Sequence, residues 1–315
     1  MSSNKFETKS APIRFDPAAA FLSGGLCRAD QVALVPRLEA ARRKMLAEIE
    51  QARSTAVIGA EGQGGGATVV DLPERMLDDY RRRRGGSELG RVLATAKRLR
   101  EAMDRVVIVG SESDCMAPRA MFEACCHPYH NEQGRGDRGG RPRIYFAGSE
   151  FDNDALQGVL DLLGHGRKAV TIDDCWGVIA LGANDERLGP EAGPGANVGN
   201  AESAEVAEEL ESVATLRVLL ASLRQSCGGE DEAQARRFVP VSRAGGPAAV
   251  FSAVGLLPGS VMGLDVVRLL EGAAAMNERL RTAPIGDNSP LDFAIVCELI
   301  RQAHGTTARR FSKWG

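Results

Sequence analysis

The sequence lacks the features that would assign the chain to a membrane-bound or nucleic-acid-binding class. Its 315 residues contain no apolar run of about 18, the length that a membrane-spanning helix requires. The formal net charge is only −3, so no overall basic field exists to hold nucleic acid or an anionic membrane surface. No internal repeat is found. With 43% hydrophobic and 26% charged residues, the composition is that of a soluble globular protein of one or two domains.

C-x-x-C pairs are also absent, and the seven cysteines form an odd number. The first ten residues, MSSNKFETKS, are polar and lack the apolar core of a secretory leader. Structural disulfides belong to oxidising compartments, and neither observation indicates such a compartment. We therefore expect reduced thiols and a cytoplasmic protein.

Short apolar runs and helical patterns alternate after residue 104. Strands are predicted at 105–109, 143–147, 176–181 and, more weakly, 238–241, with helical patterns between them at about 117–126, 154–163 and 206–226. Such alternation predicts an α/β fold, in which a parallel sheet has helices on both faces. Ligands of such sheets bind where strands end and helices begin.

The remaining patterns divide the chain into three parts. Residues 1–104 form an N-terminal arm followed by helices, 105–236 an α/β subdomain, and 237–315 a mainly helical part. Within the second part, residues at about 184–207 are rich in Gly and Pro and then in Glu and Ala, which predicts a flexible acidic insertion.

The turn after the first strand combines two opposite indications. Gly110 follows the strand and precedes a helix, and a glycine before a helix N-terminus is typical of a phosphate-binding turn. Ser113 adds one hydroxyl group, but Glu112 and Asp114 would repel a phosphate dianion. From these residues alone the turn is a phosphate site, a phosphate site that has lost its function, or neither.

Three other motifs favour structural interpretations. CCHPYH at 125–130 gathers cysteine and histidine, but zinc sites need a second ligand pair and none follows, so we predict no metal and no cofactor. RRRR at 81–84 and GRGDRGGRPR at 134–143 are basic without interleaved aromatic residues. We expect a solvated helix end and a surface loop there, rather than contacts to nucleic acid.

Two long stretches resemble glucose-6-phosphate isomerases. The first begins DLPERMLDDYRRRRGGSELGRVLATAKRLREAMDRVVIVG at residue 71, and the second begins VFSAVGLLPGSVMGLDVVRLLEGAAAMNERL at residue 250 and continues to residue 300. The resemblance implies a sugar-isomerase (SIS-type) parallel-sheet subdomain, an incomplete second subdomain and a helical N-terminal region. It also implies the interconversion of glucose 6-phosphate and fructose 6-phosphate through an enediolate, and a homodimer.

The phosphate-binding loops depart from the family pattern. The family turn is similar to G-I-G-G-S, and here Asp114 occupies the position of its serine. Gly182, Ala183 and Asn184 stand where a family loop of the S-K-S-G-G-T type begins. The degenerate substrate-binding set that the resemblance carries over is Gly110, Ser113, Asp114, Glu211 and Ser212.

The chemical groups depart as well. The family has a G-G-R-F-S stretch whose arginine stabilises the enediolate, and Pro247 occupies that arginine position here. The family segment with the general-base glutamate has no matching positions, so we expect a C-terminally truncated relative and carry over no catalytic residue. The prediction is a family member with weak or no activity. The alternative is a non-catalytic protein that binds a ligand, a sugar phosphate if any, or associates with another isomerase subunit.

Overall fold

A computed structural model describes residues 13–22, 25–55, 70–148, 153–164, 171–182, 214–223, 225, 237–241 and 246–305. The predicted acidic insertion at about 184–207 lies outside these residues. In the described part of the chain, no helix is long and apolar enough to cross a lipid bilayer.

In the described residues, helices and strands alternate in the middle of the chain, and helices alone precede and follow them. The strands are β1 (Arg105–Val109), β2 (Arg143–Ala147), β3 (Trp176–Leu181) and β4 (Phe238–Val241). The helices are α1 (Ala18–Leu22), α2 (Arg28–Thr55), α3 (Leu72–Arg83), α4 (Glu88–Ala102), α5 (Glu112–Cys125), α6 (Asn153–Leu163), α7 (Ala253–Val261), α8 (Val266–Thr282) and α9 (Ser289–His304), with a further helical segment at 214–223.

The four strands form one parallel sheet in the order β2-β1-β3-β4. The α/β class predicted from the sequence is therefore confirmed. From β1 the chain crosses to β2 on one side, and it then returns to place β3 on the other side of β1. The carboxyl ends of β1 and β3 thus border the switch point at which open parallel sheets bind ligands.

Both faces of the sheet are buried. On one face, Val107 and Val178 pack in a core with Leu160 of α6 and Leu219 of the segment 214–223. On the other face, Ile108 and Ile179 have no exposed surface. There the Phe122 ring of α5 lies 6.1 Å from the Phe146 ring of β2, centroid to centroid. Burial on both faces explains why the strands are continuous apolar runs instead of alternating ones.

The chain divides into two compact units. One comprises Arg75–Arg268 and contains the whole sheet, including β4. The other comprises Met1–Glu74 and Leu269–Gly315, and its core joins Leu34 of α2 to Ile295 and Leu299 of α9. The predicted division into 1–104, 105–236 and 237–315 refers to subdomains of the family type, which are not the same thing as these two compact units. The division therefore stays a prediction.

Candidate functional site

Gly110 begins the turn at the carboxyl end of β1, beside the end of β3. Its amide donates to the Ala147 carbonyl of β2 at 3.2 Å. A Cβ atom at this position would lie 3.0 Å from Leu181 Cβ and 3.2 Å from Asp114 Cβ. Both distances are shorter than ordinary carbon–carbon contacts, so glycine lets the turn pack tightly at the switch point.

Ser111 is the N-cap of α5, and its side chain begins the helix. Its hydroxyl oxygen accepts from the Asp114 amide at 3.3 Å, and its carbonyl accepts from the Cys115 amide at 3.0 Å. The predicted helix began near Ala117, but the cap places the first helical residue at Glu112. Sequence reasoning did not include Ser111 in the site, although its spacing from Asp114 is the S-x-x-D pattern of a helix N-terminus.

Asp114 is buried, with 4% of its surface exposed. Its Oδ2 accepts from the Ser111 hydroxyl at 2.7 Å. The Ser113 hydroxyl lies 3.0 Å from the Ser111 hydroxyl and donates to it, since the Ser111 hydrogen is directed to Asp114. The Ser111 hydroxyl therefore uses its one donor and both acceptor positions within the turn. A carboxylate near the first turn of a helix also interacts favourably with the helix dipole.

The structure brings together three of the five predicted substrate-binding residues: Gly110, Ser113 and Asp114. Glu112 lies in the same turn but is exposed to solvent. Gly182 follows β3 directly in a left-handed conformation with φ 72°, and Ala183 and Asn184 lie outside the described residues. The predicted residues Glu211 and Ser212 also lie outside them.

Cys115 packs beneath the turn and is chemically inert. Its sulfur lies 3.6 Å from the Gly110 carbonyl oxygen. Burial raises the pKa of this thiol to about 12, with Arg119 partly opposing the shift and Asp114 adding to it. Because the thiolate is the reactive form, Cys115 is not a nucleophile near neutral pH.

The resemblance places the family's arginine at Pro247, in a segment that contacts α5, the helix that begins at the candidate turn. Pro247 falls in the 3₁₀ helix Gly246–Phe251, which precedes α7. Ser252 caps α7, and its hydroxyl oxygen accepts from the Val254 amide at 3.3 Å. This serine therefore has a structural hydrogen bond at a helix start.

The cysteines and histidines of residues 125–130 do not converge. Cys125 and His127 are exposed, whereas His130 is buried and its Nε2 lies 3.0 Å from the Pro142 carbonyl oxygen. Among the described residues, no group of three or more His, Cys, Asp or Glu side chains is arranged to hold a metal ion.

The basic stretch 134–143 is a loop at the surface, as expected, but its arginines are not all solvated. Arg138 has a fully buried side chain, and its guanidinium donates to Asp104 Oδ1 at 2.6 Å. Arg143 also pairs with Asp104, and Arg135 donates to the Arg100 and Met103 carbonyls at the end of α4. The sequence did not indicate these pairings, because the partners lie more than thirty residues away along the chain. In contrast, the four arginines at 81–84 are exposed at the end of α3.

Curated glucose-6-phosphate isomerases match most of this chain. The protein of Streptococcus thermophilus is 26% identical over 253 residues, which cover 78% of this chain and 52% of the relative. The protein of Symbiobacterium thermophilum is 31% identical over 224 residues, covering 68% and 44%, and that of Pediococcus pentosaceus 25% identical over 274 residues, covering 83% and 56%.

The chain is related in sequence to glucose-6-phosphate isomerases. It spans about half the length of the curated relatives that it matches. No protein-family model matches it. This relationship agrees with the family resemblance from which the site residues were predicted. The activity of this chain has to be inferred from its own residues.

Proposed function

We propose that the chain is a sugar-isomerase-type (SIS-type) α/β protein of the glucose-6-phosphate isomerase lineage, with little or no isomerase activity of its own. The family reaction transfers a proton between C2 and C1 of a phosphorylated sugar through an enediolate. It needs a phosphate anchor and groups that stabilise the developing oxyanion. The parallel sheet and the related sequences support the lineage, and the chemistry of the turn at residues 110–114 supports the loss of activity.

The observation that carries this proposal is the buried carboxylate of Asp114. A phosphate at the α5 N-terminus would lie beside this carboxylate and would have to displace the hydrogen bonds of Ser111. Two like unit charges 4 Å apart repel by about 4 kcal/mol at an effective dielectric constant of 20. That repulsion exceeds the roughly 0.3–2 kcal/mol that the dipole at a helix N-terminus offers an anion. The turn is therefore suited to retain its own carboxylate rather than a bound phosphate.

Pro247 adds a second, independent support. The resemblance places the enediolate-stabilising arginine at this position, and proline has neither a cation nor an amide hydrogen to replace it. Removing a single oxyanion donor typically lowers the rate by about 10²–10³. Loss of that donor together with a repelled phosphate would leave little turnover.

The alternative function is non-catalytic. In that form the protein binds a ligand without converting it or associates with another isomerase subunit, as a homodimer or a mixed dimer. An unphosphorylated or cationic ligand suits Asp114 and Glu112 better than a sugar phosphate does. A cytoplasmic location remains part of this proposal.

A coupled assay tests the proposal directly. The purified chain, at high concentration and from a host strain without its own isomerase, is supplied with fructose 6-phosphate, and glucose 6-phosphate is detected through a dehydrogenase. We expect no turnover above that of a mock purification. Turnover that scales with protein concentration and disappears in Asp114→Lys would show a functional site at this turn and contradict the proposal.

A further inference from the structure

We propose that residues 126–142, the loop between α5 and β2, form a pH-sensitive clasp that neutral His130 holds closed and that protonation of His130 opens. The clasp lies at the amino-terminal edge of the sheet, opposite the turn at residues 110–114. The inference is therefore independent of the proposed function.

His130 is buried in this loop, with 3% of its surface exposed. Its Nε2 lies 3.0 Å from the Pro142 carbonyl oxygen. Because a carbonyl only accepts hydrogen bonds, Nε2 bears a hydrogen and donates it, which ties the start of the loop to its end. The ring meets Phe122 of α5 edge to face at 5.5 Å, so that side of the histidine is apolar.

The charged groups that act on His130 are all cations. Arg138 and Arg141 belong to the loop and Arg143 begins β2, whereas α5 presents the uncharged Phe122. Asp104, the buried carboxylate of this edge, already pairs with Arg138 and Arg143. A positive charge on His130 would therefore enter a buried region that is rich in guanidinium groups.

The sign of the pH effect follows from these surroundings. Burial, and then the three arginines, lower the pKa of His130 below its ordinary value of about 6.5, despite the opposing hydrogen bond to Pro142. In the opened loop the imidazole regains that ordinary pKa. The stability that neutral His130 contributes is thus complete above about pH 6.5 and is lost as the pH falls through the lower pKa of the closed state.

Opening the clasp would expose the unpaired side of the edge strand β2. Asn131, next to His130, donates from Nδ2 to the Ile144 carbonyl at 2.8 Å and accepts from the Ile144 amide at 2.9 Å. The amide side chain thereby occupies backbone groups of β2, which is one of the two edge strands of the sheet in the described residues. Unpaired edge strands associate with other chains. Mild acid should therefore increase both loop opening and self-association through β2.

Amide hydrogen exchange of the full chain tests this inference. Rates in residues 126–142, corrected for intrinsic pH dependence, are compared at about pH 7.5 and pH 5.5. We expect the population of the open loop in the wild type to be about three- to ten-fold larger at pH 5.5 than at pH 7.5, which is the range that the uptake of one proton allows. His130→Gln, which keeps an N–H donor for Pro142 but does not titrate, should abolish the increase. His127→Gln, at an exposed histidine of the same loop, should retain it.

Two outcomes would overturn the clasp. One is an equal increase in the wild type and His130→Gln. The other is the absence of any increase in loop opening in the wild type. This second outcome can be observed even if no variant folds. Should His130→Gln fail to fold, ¹³C-labelled histidine spectra of the wild type provide the second measurement. A buried imidazole that titrates below the ordinary pKa supports the clasp, and one that titrates at or above it contradicts the clasp.

Discussion

Two buried aspartates flank β1, and their surroundings differ in kind. Asp104 precedes the strand and pairs with Arg135, Arg138 and Arg143. Asp114 follows the strand and accepts a hydrogen bond from a serine hydroxyl at a helix N-terminus. The first carboxylate is enclosed by cations of the chain itself, so it joins α4, the loop 126–142 and β2. The second lies at the switch point, where ligands bind in open parallel sheets.

A buried carboxylate therefore has different consequences at the amino-terminal and carboxyl-terminal edges of the same sheet. At the amino-terminal edge, Asp104 is a structural counter-ion, and its removal should damage folding. At the carboxyl-terminal edge, Asp114 accepts a hydrogen bond at a helix start, and we propose that its main effect is to determine which ligand charge the turn tolerates. Neutralising either aspartate removes one negative charge. At Asp104 the change should lower the free energy of unfolding, whereas at Asp114 it should mainly change which ligands the turn binds.

The largest expected effect is that of Asp104→Asn. Removing one partner of a buried ion pair typically costs about 3–5 kcal/mol, because the other charge stays buried without compensation. The side chain of Arg138 has no exposed surface and would be left in that state. Urea unfolding, followed by the fluorescence of buried Trp176 in a Trp314→Phe background, measures the change.

Asp137→Asn is the matched control for that change, because Asp137 is an exposed carboxylate of the same arginine-rich loop. We expect this control to alter the free energy of unfolding by less than about 0.5 kcal/mol. Equal losses in Asp104→Asn and Asp137→Asn would show that the three arginines do not depend on Asp104.

A smaller loss is expected for Ser111→Ala. The substitution removes the N-cap of α5 and the hydroxyl that donates to Asp114, and loss of a cap costs about 1–2 kcal/mol. Ser113→Ala, at the exposed hydroxyl of the same turn, should cost less than half as much. If the two variants are equally stable in urea, Ser111 is not the residue that begins the helix.

The strands of the sheet were predicted well because each is an apolar run that can be recognised from consecutive residues alone. Residues 105–109 and 176–181 are apolar throughout, as strands buried on both faces must be, and the structure has β strands at both positions. The start of α5 was predicted five residues too late. The two carboxylates and Pro118 obscured the helical pattern, and the decisive Ser111 cap is a single side chain.

The arginine cluster could not be predicted from local pattern at all. Arg135, Arg138 and Arg143 appear in a glycine-rich stretch that is typical of exposed loops, and only the fold brings them to Asp104. The candidate turn was predicted in position, since a strand, a glycine and a helix occur in order. What the sequence did not indicate is that Asp114 is buried and bonded to Ser111.

The most direct test of the central claim is a phosphate titration followed by the backbone amide resonances of residues 110–115. Inorganic phosphate is added to the wild type, to Asp114→Ser and to the exposed-charge control Glu112→Gln. The account predicts no saturable shift up to about 10 mM in the wild type or the control, and at least about ten-fold tighter, saturable binding in Asp114→Ser. Saturable phosphate binding by the wild type, with no gain in Asp114→Ser, would contradict the claim that Asp114 excludes phosphate from this turn.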